Sequence, residues 1–305
     1  MLISLLLTLL AAPYPESERH LLEESLEKYE MNRRVRDAAV EAGLEELDAN
    51  DLMIDMKSTT SFPPTRCEVE YWKRKGFDLC GFLKGIRDFV DDLPFSKKRR
   101  LRTHAELAEG YSQLYQVTQR NVLLWMSACK DPETSEWLIR SVETLMKQPM
   151  KTDEDLEHLQ TWFVALGHNG SDKALDVLFW LQSAETWQSE LPIQIQIKGL
   201  SPEFIEAEIL DLRYAALKGI AFSGSDRALH AFATGEGIAE DMKCICAELF
   251  GMAAHAHFGI YCISSFYSQD AADPEVEGNL QAIYAKYGMD YSEKERYKEP
   301  DKRVF

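Results

Sequence analysis

Two stretches of this chain share one pattern, ALGHNGSDKAL at Ala165–Leu175 and GIAFSGSDRAL at Gly219–Leu229. In each, an apolar segment is followed by Gly-Ser-Asp, a basic residue and Ala-Leu. Glycine and asparagine tolerate the left-handed backbone that ends a helix, and serine and aspartate cap the helix that follows. The pattern therefore predicts two helix–turn–helix corners. His168 is interpreted as part of the first corner and not as a catalytic residue.

Signals for the start of a helix recur on both sides of these corners. A capping residue next to proline, or a residue that can form a capping box, precedes a run with helical apolar spacing. These signals lie at Thr103–Glu106, Asp131-Pro132, Thr152–Asp155, Ser201-Pro202 and Asp273-Pro274. Their spacing predicts antiparallel helix pairs that recur every few tens of residues.

The longer forms of the two corners, ALGHNGSDKALDVLFWL at Ala165–Leu181 and GIAFSGSDRALHAF at Gly219–Phe232, resemble HEAT repeats. The similarity is to the short bacterial kind, also found in phycobilisome-lyase-like proteins. It implies a right-handed stack of helix pairs whose concave surface holds a partner, and it assigns no catalytic residue. We therefore expect an all-α chain in which residues 103–290 form an α-solenoid of about four HEAT-like helix pairs.

The N-terminal segment is typical of a secretory signal peptide. Residues 1–12 are uncharged and mainly apolar, end in Ala11-Ala12 and precede Pro13. The segment is too short to span a bilayer and has no basic residue before the apolar run, so a packed N-terminal helix is the alternative. We expect export to the periplasm or the exterior, with a cytoplasmic location as the alternative, and no membrane span. A helical N-terminal region with a loop at 50–77 follows over 13–102, and residues 291–305 form a polar tail.

The chain has six cysteines, an even number that suits an oxidising compartment. Cys67 and Cys80 bracket a segment after Pro63-Pro64 that has the composition of a loop, and we expect them to form a disulfide. The alternative is that all six are reduced, buried thiols.

Charge excludes two classes of partner. The formal net charge is −17 at pH 7, so the protein repels phosphate backbones and anionic lipid surfaces. Basic proteins, cationic ligands or divalent metals suit this field, although acidity also serves solubility alone. The one dense basic run, Lys97–Arg102, is interpreted as a solvated linker, with recruitment of an acidic partner as the alternative.

An insert at 183–204 separates the two clear corners. Ile193, Ile195 and Ile197 alternate with polar residues, which predicts a short β-ribbon or extended arm. Inserts in solenoids often lie on the binding face, so these isoleucines and Trp187 are the predicted partner-binding residues. The alternative is an insert that only covers an exposed edge of the core.

No metalloprotease, P-loop or nucleophile-elbow motif is present, and no histidine is directly followed by glutamate. Cys244, His255 and Cys262 have the residue types of a zinc site. On one straight helix they would spread over about 27 Å, so they converge only if the chain reverses near Gly251–Ala254. We expect no resident cofactor.

Together these patterns predict an exported, non-enzymatic HEAT-like scaffold that binds a protein or peptide. The alternative is a lyase-like or cofactor-maturation enzyme that holds a chromophore or a metal. In that case Trp162, Trp180 and Trp187 would line its pocket, although tryptophan at helical spacing more often belongs to the core.

Overall fold

A computed structural model describes residues 33–58, 62–87, 117–190, 195–259 and 274–291. Within these ranges the protein is all-α, as the sequence predicts. Residues 33–41 are helical, and the α-helices that follow are α1 (Glu46–Ser58), α2 (Arg66–Arg74), α3 (Leu79–Ile86), α4 (Gln119–Met126), α5 (Pro132–Leu145), α6 (Asp153–Asn169), α7 (Asp172–Leu181), α8 (Pro202–Phe222), α9 (Asp226–Thr234), α10 (Cys246–His257) and α11 (Pro274–Lys286). A π-helical turn at Thr186–Glu190 and a 3-10 helix at Glu240–Ile245 complete the helical elements of the described chain.

The chain divides into two compact units. The first comprises Met1–Pro64 with Glu68–Met126, and the second comprises Thr65–Cys67 with Ser127–Phe305. The predicted boundary at residue 103 lies in a segment that the structure does not describe.

In the first unit, the predicted loop at 50–77 is wrong, because α1 and α2 occupy most of it. These helices are specified by buried side chains that include Leu52, Met56 and Trp72, all fully enclosed. The indole nitrogen of Trp72 donates a hydrogen bond to Asp55 Oδ2 at 3.0 Å, which joins α2 to α1. Tertiary packing therefore stabilises α1, whose own amphipathic pattern is weak, whereas α2 is strongly amphipathic and buries Val69 and Trp72.

The predicted disulfide between Cys67 and Cys80 is also wrong. Cys67 is an exposed free thiol, whereas Cys80 takes part in a disulfide. The prediction assumed a flexible loop that could bring the two sulfur atoms together. Residues 67 and 80 belong instead to α2 and α3, and Cys67 lies on the exposed face of the first turn of α2.

Both predicted corners are confirmed in the second unit. Gly170 ends α6 in the left-handed conformation, with φ of 72°, and Ser171 Oγ accepts the backbone N–H of Ala174. At the second corner Gly224 has φ of 56°, and Ser225 Oγ accepts the N–H of Ala228. The cap at Asp131 and the capping box at Thr152–Asp155 are likewise present.

Helices α6 and α8 run in the same direction and touch through two glycines. A Cβ atom on Gly167 would overlap the backbone carbonyl of Gly219, and one on Gly219 would overlap the carbonyl oxygen of Phe163. Near the N-terminal ends of the same helices, Asp153 acts electrostatically on Glu208. The glycines thus allow two backbones to approach more closely than any side chain permits.

A buried arginine ties α8 to the segments on either side of it. Arg213 donates through Nη1 and Nη2 to the two carboxylate oxygens of Asp241, each at 2.7 Å. Its Nε donates to the backbone carbonyl of Gln182 at 2.8 Å, and Gln182 Nε2 in turn donates to the carbonyl of Gly237 at 3.0 Å. These bonds fix the chain that leads into α10.

Several predictions fall on residues that the structure does not describe. They are the signal peptide at 1–12, the basic run at 97–102, the capping box at Thr103–Glu106, Ile193, Cys262, and the tail beyond residue 291.

Candidate functional site

The N-terminal half of α8 lies at the surface of the second unit. Buried residues in this helix begin at Leu212, and none of the ten residues before it is buried. Phe204 is 63% exposed and Leu210 is 48% exposed. We call Phe204, Glu208, Leu210 and Asp211 the α8 surface.

The α8 surface is open because the next helix begins late. Tyr214 of α8 is hydrogen-bonded to Glu248 near the start of α10, and Gly224, just after α8, lies against the backbone of Ala256 near the end of α10. Helices α8 and α10 therefore run in the same direction. In this register the first residue of α10 lies at about the level of Leu212. At 1.5 Å per residue, α8 therefore extends about 15 Å past the start of α10.

The exposed segment is strongly acidic. Residues 202–211 read PEFIEAEILD, with four carboxylates and no basic residue. The first turn of the neighbouring helix α6 adds three more carboxylates, Asp153, Glu154 and Asp155. Neither Glu208 nor Asp211 has a hydrogen bond or an ion pair with any residue that the structure describes.

Both carboxylates of the α8 surface hold their protons more tightly than usual. Partial burial raises the pKa of Glu208, and repulsion from Asp211 and Asp153 raises it further. Partial burial also raises the pKa of Asp211, while the nearby Lys218 opposes that shift. The site therefore holds several negative charges close together, and Lys218 opposes them at Asp211.

Tyr214 and Lys218 lie at the C-terminal edge of this surface. The Tyr214 hydroxyl donates to Glu248 Oε1 at 2.9 Å, and Lys218 Nζ lies 4.5 Å from the centre of the Tyr214 ring. Burial lowers the pKa of Lys218, although Glu248 and Asp211 oppose that shift. Burial next to Glu248 raises the pKa of Tyr214, so the phenol stays protonated and serves as a hydrogen-bond donor. This edge of the α8 surface therefore carries a positive charge, and its tyrosine is already bonded to α10.

A second polar cluster, at the first corner, is built for structure. Ser127 Oγ and His168 Nδ1 are 2.6 Å apart, the geometry of a nucleophile and its base. Ser127 is completely buried and His168 is 3% exposed, so a substrate has no access to the pair. Burial and the nearby Lys130 hold the pKa of His168 well below its usual value. The corner thus keeps a neutral imidazole inside the core, in agreement with the sequence interpretation.

Lys130 binds the C-terminal end of α6 at this corner. Its ammonium group donates to the carbonyl oxygen of His168, and Asn169 Nδ2 donates to the carbonyl of Cys129 at 2.9 Å. Burial lowers the pKa of Lys130 to about 8, although the residue as a whole is exposed. Cations at the C-terminal end of a helix stabilise it, so this lysine has a structural role.

The predicted binding residues of the insert are mostly buried. Trp187 is 3% exposed and donates through Nε1 to the carbonyl of Leu181 at 2.7 Å. Ile195 is 5% exposed, Ile197 is half-buried, and the ribbon is reduced to an isolated parallel bridge between Ile195 and Met150. Around the predicted isoleucines the insert therefore covers the core, and Gln196 and Lys198 are the exposed neighbours of Ile195 and Ile197.

The condition for the predicted metal site is not met. Helix α10 passes through Gly251–Ala254 without reversing, so Cys244, in the 3-10 helix before α10, and His255, in the last turn of α10, are separated by most of its length. His255 Nδ1 instead lies 2.7 Å from the carbonyl oxygen of Gly251. The described residues contain no group of three histidine, cysteine or acidic side chains that could hold a metal ion.

The tryptophans proposed to line a pocket are not gathered at one open surface. Trp162 is 5% exposed, and its Nε1 donates to His158 Nε2 at 2.8 Å, while Trp187 is buried in the insert. Trp180 remains 36% exposed.

Sequence reasoning missed the α8 surface because Phe204, Ile205, Ile209 and Leu212 have the spacing of a core stripe. The signal that could have revealed it is the acidic run of residues 202–211. Four carboxylates and no basic residue around exposed apolar side chains distinguish this half from the half that follows.

Comparison of the chain with protein-family models, with curated proteins and with solved structures finds no match. Among the helices that the structure describes, none combines the length and the apolar character needed to cross a membrane.

Proposed function

We propose that this protein is an exported, non-enzymatic scaffold of the HEAT-like α-solenoid type, and that it binds a protein partner. The observation that carries the proposal is the α8 surface. Large apolar side chains that remain exposed beside a helix face that no described helix covers are typical of protein interaction sites.

The order of helices supports the solenoid. Two corners with the same caps, at Ser171 and Ser225, each join a longer helix to a shorter one that follows it. The longer helices α6, α8 and α10 run in the same direction, as equivalent helices of successive repeats do. On this proposal each helix pair packs on the next, and α8 presents its free half on the surface.

The disulfide state supports export. Cys80 and Cys129 are each in the disulfide form, and disulfides persist in oxidising compartments. If the protein is exported, the mass of the mature chain will show cleavage near Ala12. Cys80 and Cys129 will then resist alkylation until a reductant is added. A full-length chain with all cysteines alkylated in native cells would contradict export.

Site-specific crosslinking tests the binding role. A photoreactive amino acid replaces Phe204 or Leu210 in the full chain, and Glu143 on α5 serves as an exposed control position. We expect one discrete crosslinked protein from Phe204 and Leu210 and none from Glu143. The captured protein, identified by mass spectrometry, must then bind the purified chain and lose affinity for the Phe204→Ser variant. Equal crosslinking at all three positions would overturn the proposal.

A further inference from the structure

We infer that the segment recognised by the α8 surface is a basic amphipathic helix of the partner protein, with lysine or arginine flanking an apolar stripe. This inference rests on the proposed binding function and specifies the chemistry of the partner. It follows from three features of the part of the chain that the structure describes: carboxylates without an ion pair, exposed apolar side chains, and a helix face that no described helix covers.

The negative charge of the α8 surface favours a cationic partner. Glu208 is half-buried and Asp211 is exposed, and neither forms an ion pair with a described residue, although Lys218 acts electrostatically on Asp211. Asp153 of α6 adds a third negative charge beside Glu208. A lysine or arginine placed between these groups would relieve their mutual repulsion. It would also form charge-assisted hydrogen bonds. The net charge of −17 would attract such a segment from a distance and repel nucleic acids and anionic membranes.

The length and the exposed side of α8 favour a partner segment that is helical. The free part of α8 is about 15 Å long, or nearly three helical turns. Tyr214 and Lys218, which both act on Glu248, mark the side of α8 that faces α10. On a regular helix Leu210 and Phe204 lie about 60° to either side of that line, with Phe204 about 1.7 turns before Leu210, and both are exposed. A partner helix can lie along this side in the position that an extended α10 would fill. Its apolar stripe would contact Phe204 and Leu210, as in other helix-in-groove complexes.

A designed peptide tests this inference directly. The probe is a fluorescein-labelled 18-residue peptide with lysine and leucine at amphipathic helical spacing, titrated with the full chain and followed by fluorescence anisotropy. A peptide with glutamate in place of lysine and one with serine in place of leucine separate the two contributions. We expect the lysine–leucine peptide to bind and both control peptides to bind at least about tenfold more weakly.

Matched variants locate the binding site. Phe204→Ser and Glu208→Lys should each weaken binding of the lysine–leucine peptide about tenfold. Leu47→Ser removes another exposed apolar side chain, 72% exposed on α1, and Glu143→Lys makes the same change in net charge on α5. Both controls should change the dissociation constant less than about twofold, which excludes attraction by diffuse charge. Circular dichroism confirms that each variant is folded.

Several results would overturn the inference. They are equal binding of the glutamate peptide, equal weakening by Glu208→Lys and Glu143→Lys, and no effect of Phe204→Ser. Sedimentation velocity tests whether a second copy of this chain binds the surface. A dimer that Phe204→Ser converts to a monomer would show that it does. If no peptide binds but crosslinking at Phe204 identifies a partner, the basic helix is wrong and the binding function stands. If crosslinking also fails, both are wrong.

Discussion

The two halves of α8 belong to one continuous helix and have opposite environments. From Leu212 to Phe222 the helix is mostly enclosed, with Gly219 against Gly167 and Arg213 bound to Asp241. From Pro202 to Asp211 it contains no buried residue. Both halves are rich in apolar side chains, so hydrophobic content does not separate them. Neighbouring helices separate them, because α10 covers only the second half.

This difference indicates a division of roles. The second half contributes to the free energy of folding, and the first half retains apolar area that folding does not bury. A protein that keeps Phe204 and Leu210 exposed gains solubility from the surrounding carboxylates. Substitutions in the two halves should therefore separate stability from binding.

The sharpest test compares two leucines on either side of the boundary. Leu212 is fully buried and Leu210 is 48% exposed. We expect Leu212→Ala to lower the free energy of unfolding by about 3 kcal/mol, because it removes buried methyl groups and leaves a cavity. Leu210→Ala should change it by less than about 0.5 kcal/mol. Urea unfolding followed by circular dichroism measures both, and similar losses would show that the two halves are packed alike.

Substitution at the contact between Gly219 and Gly167 should lower the free energy of unfolding nearly as much. Gly219→Ala places a methyl group into the backbone of α6, and we expect a loss of about 2 kcal/mol. Gly278 lies within α11, is exposed and has no atom near its missing side chain, so it is a matched control. Gly278→Ala should stabilise the protein by about 0.5 kcal/mol, because alanine favours helix. Thermal unfolding should therefore shift in opposite directions for the two variants. A stabilising Gly219→Ala would contradict the close approach.

Arg213 offers a test of the polar contacts in the enclosed half. Arg213→Met should cost about 1.5 kcal/mol, since it leaves the Gln182 carbonyl and Asp241 without their donor. The expected loss is moderate because the Asp241 side chain is 57% exposed. The control is Arg140→Met, which breaks an exposed pair with Glu136 and should cost less than about 0.5 kcal/mol. If the two variants lose the same free energy of unfolding in denaturant, burial of Arg213 adds nothing to the stability that its contacts provide.

The smallest effect concerns the charge of the exposed half. The pKa of Glu208 is raised in the folded protein above its usual 4.5, so ionisation disfavours the folded state. The penalty is complete above the folded pKa and disappears as the pH falls below 4.5. Glu208→Gln should therefore stabilise the protein at pH 7 by less than about 0.5 kcal/mol, because water screens the charge. The difference from wild type should vanish near pH 4. A larger gain at pH 4 than at pH 7 would have the wrong sign.

The corners were predictable because their causes are local. Glycine at residue 170 and serine at residues 171 and 225 act on backbone groups within a few residues, so their types and spacing suffice. The same holds for the all-α class and for the cap at Asp131.

The errors arose where distant contacts decide the outcome. Within 50–77 the helical periodicity is weak in α1, which packs against Trp72, whereas α2 is amphipathic by itself and could have been predicted locally. Those helices also hold Cys67 at the surface and leave it a free thiol. The isoleucine pattern of the insert predicted exposure on one face, whereas Ile195 is buried beside Met150.

The sequence by itself determined where the helices of the second unit turn, since capping and left-handed glycine are short-range properties of the chain. It also determined the acidic field, which follows from composition. Only the tertiary structure decided which apolar side chains are covered. Burial of Leu212 and exposure of Leu210 depend on where α10 begins relative to α8, a register that no local pattern in α8 encodes.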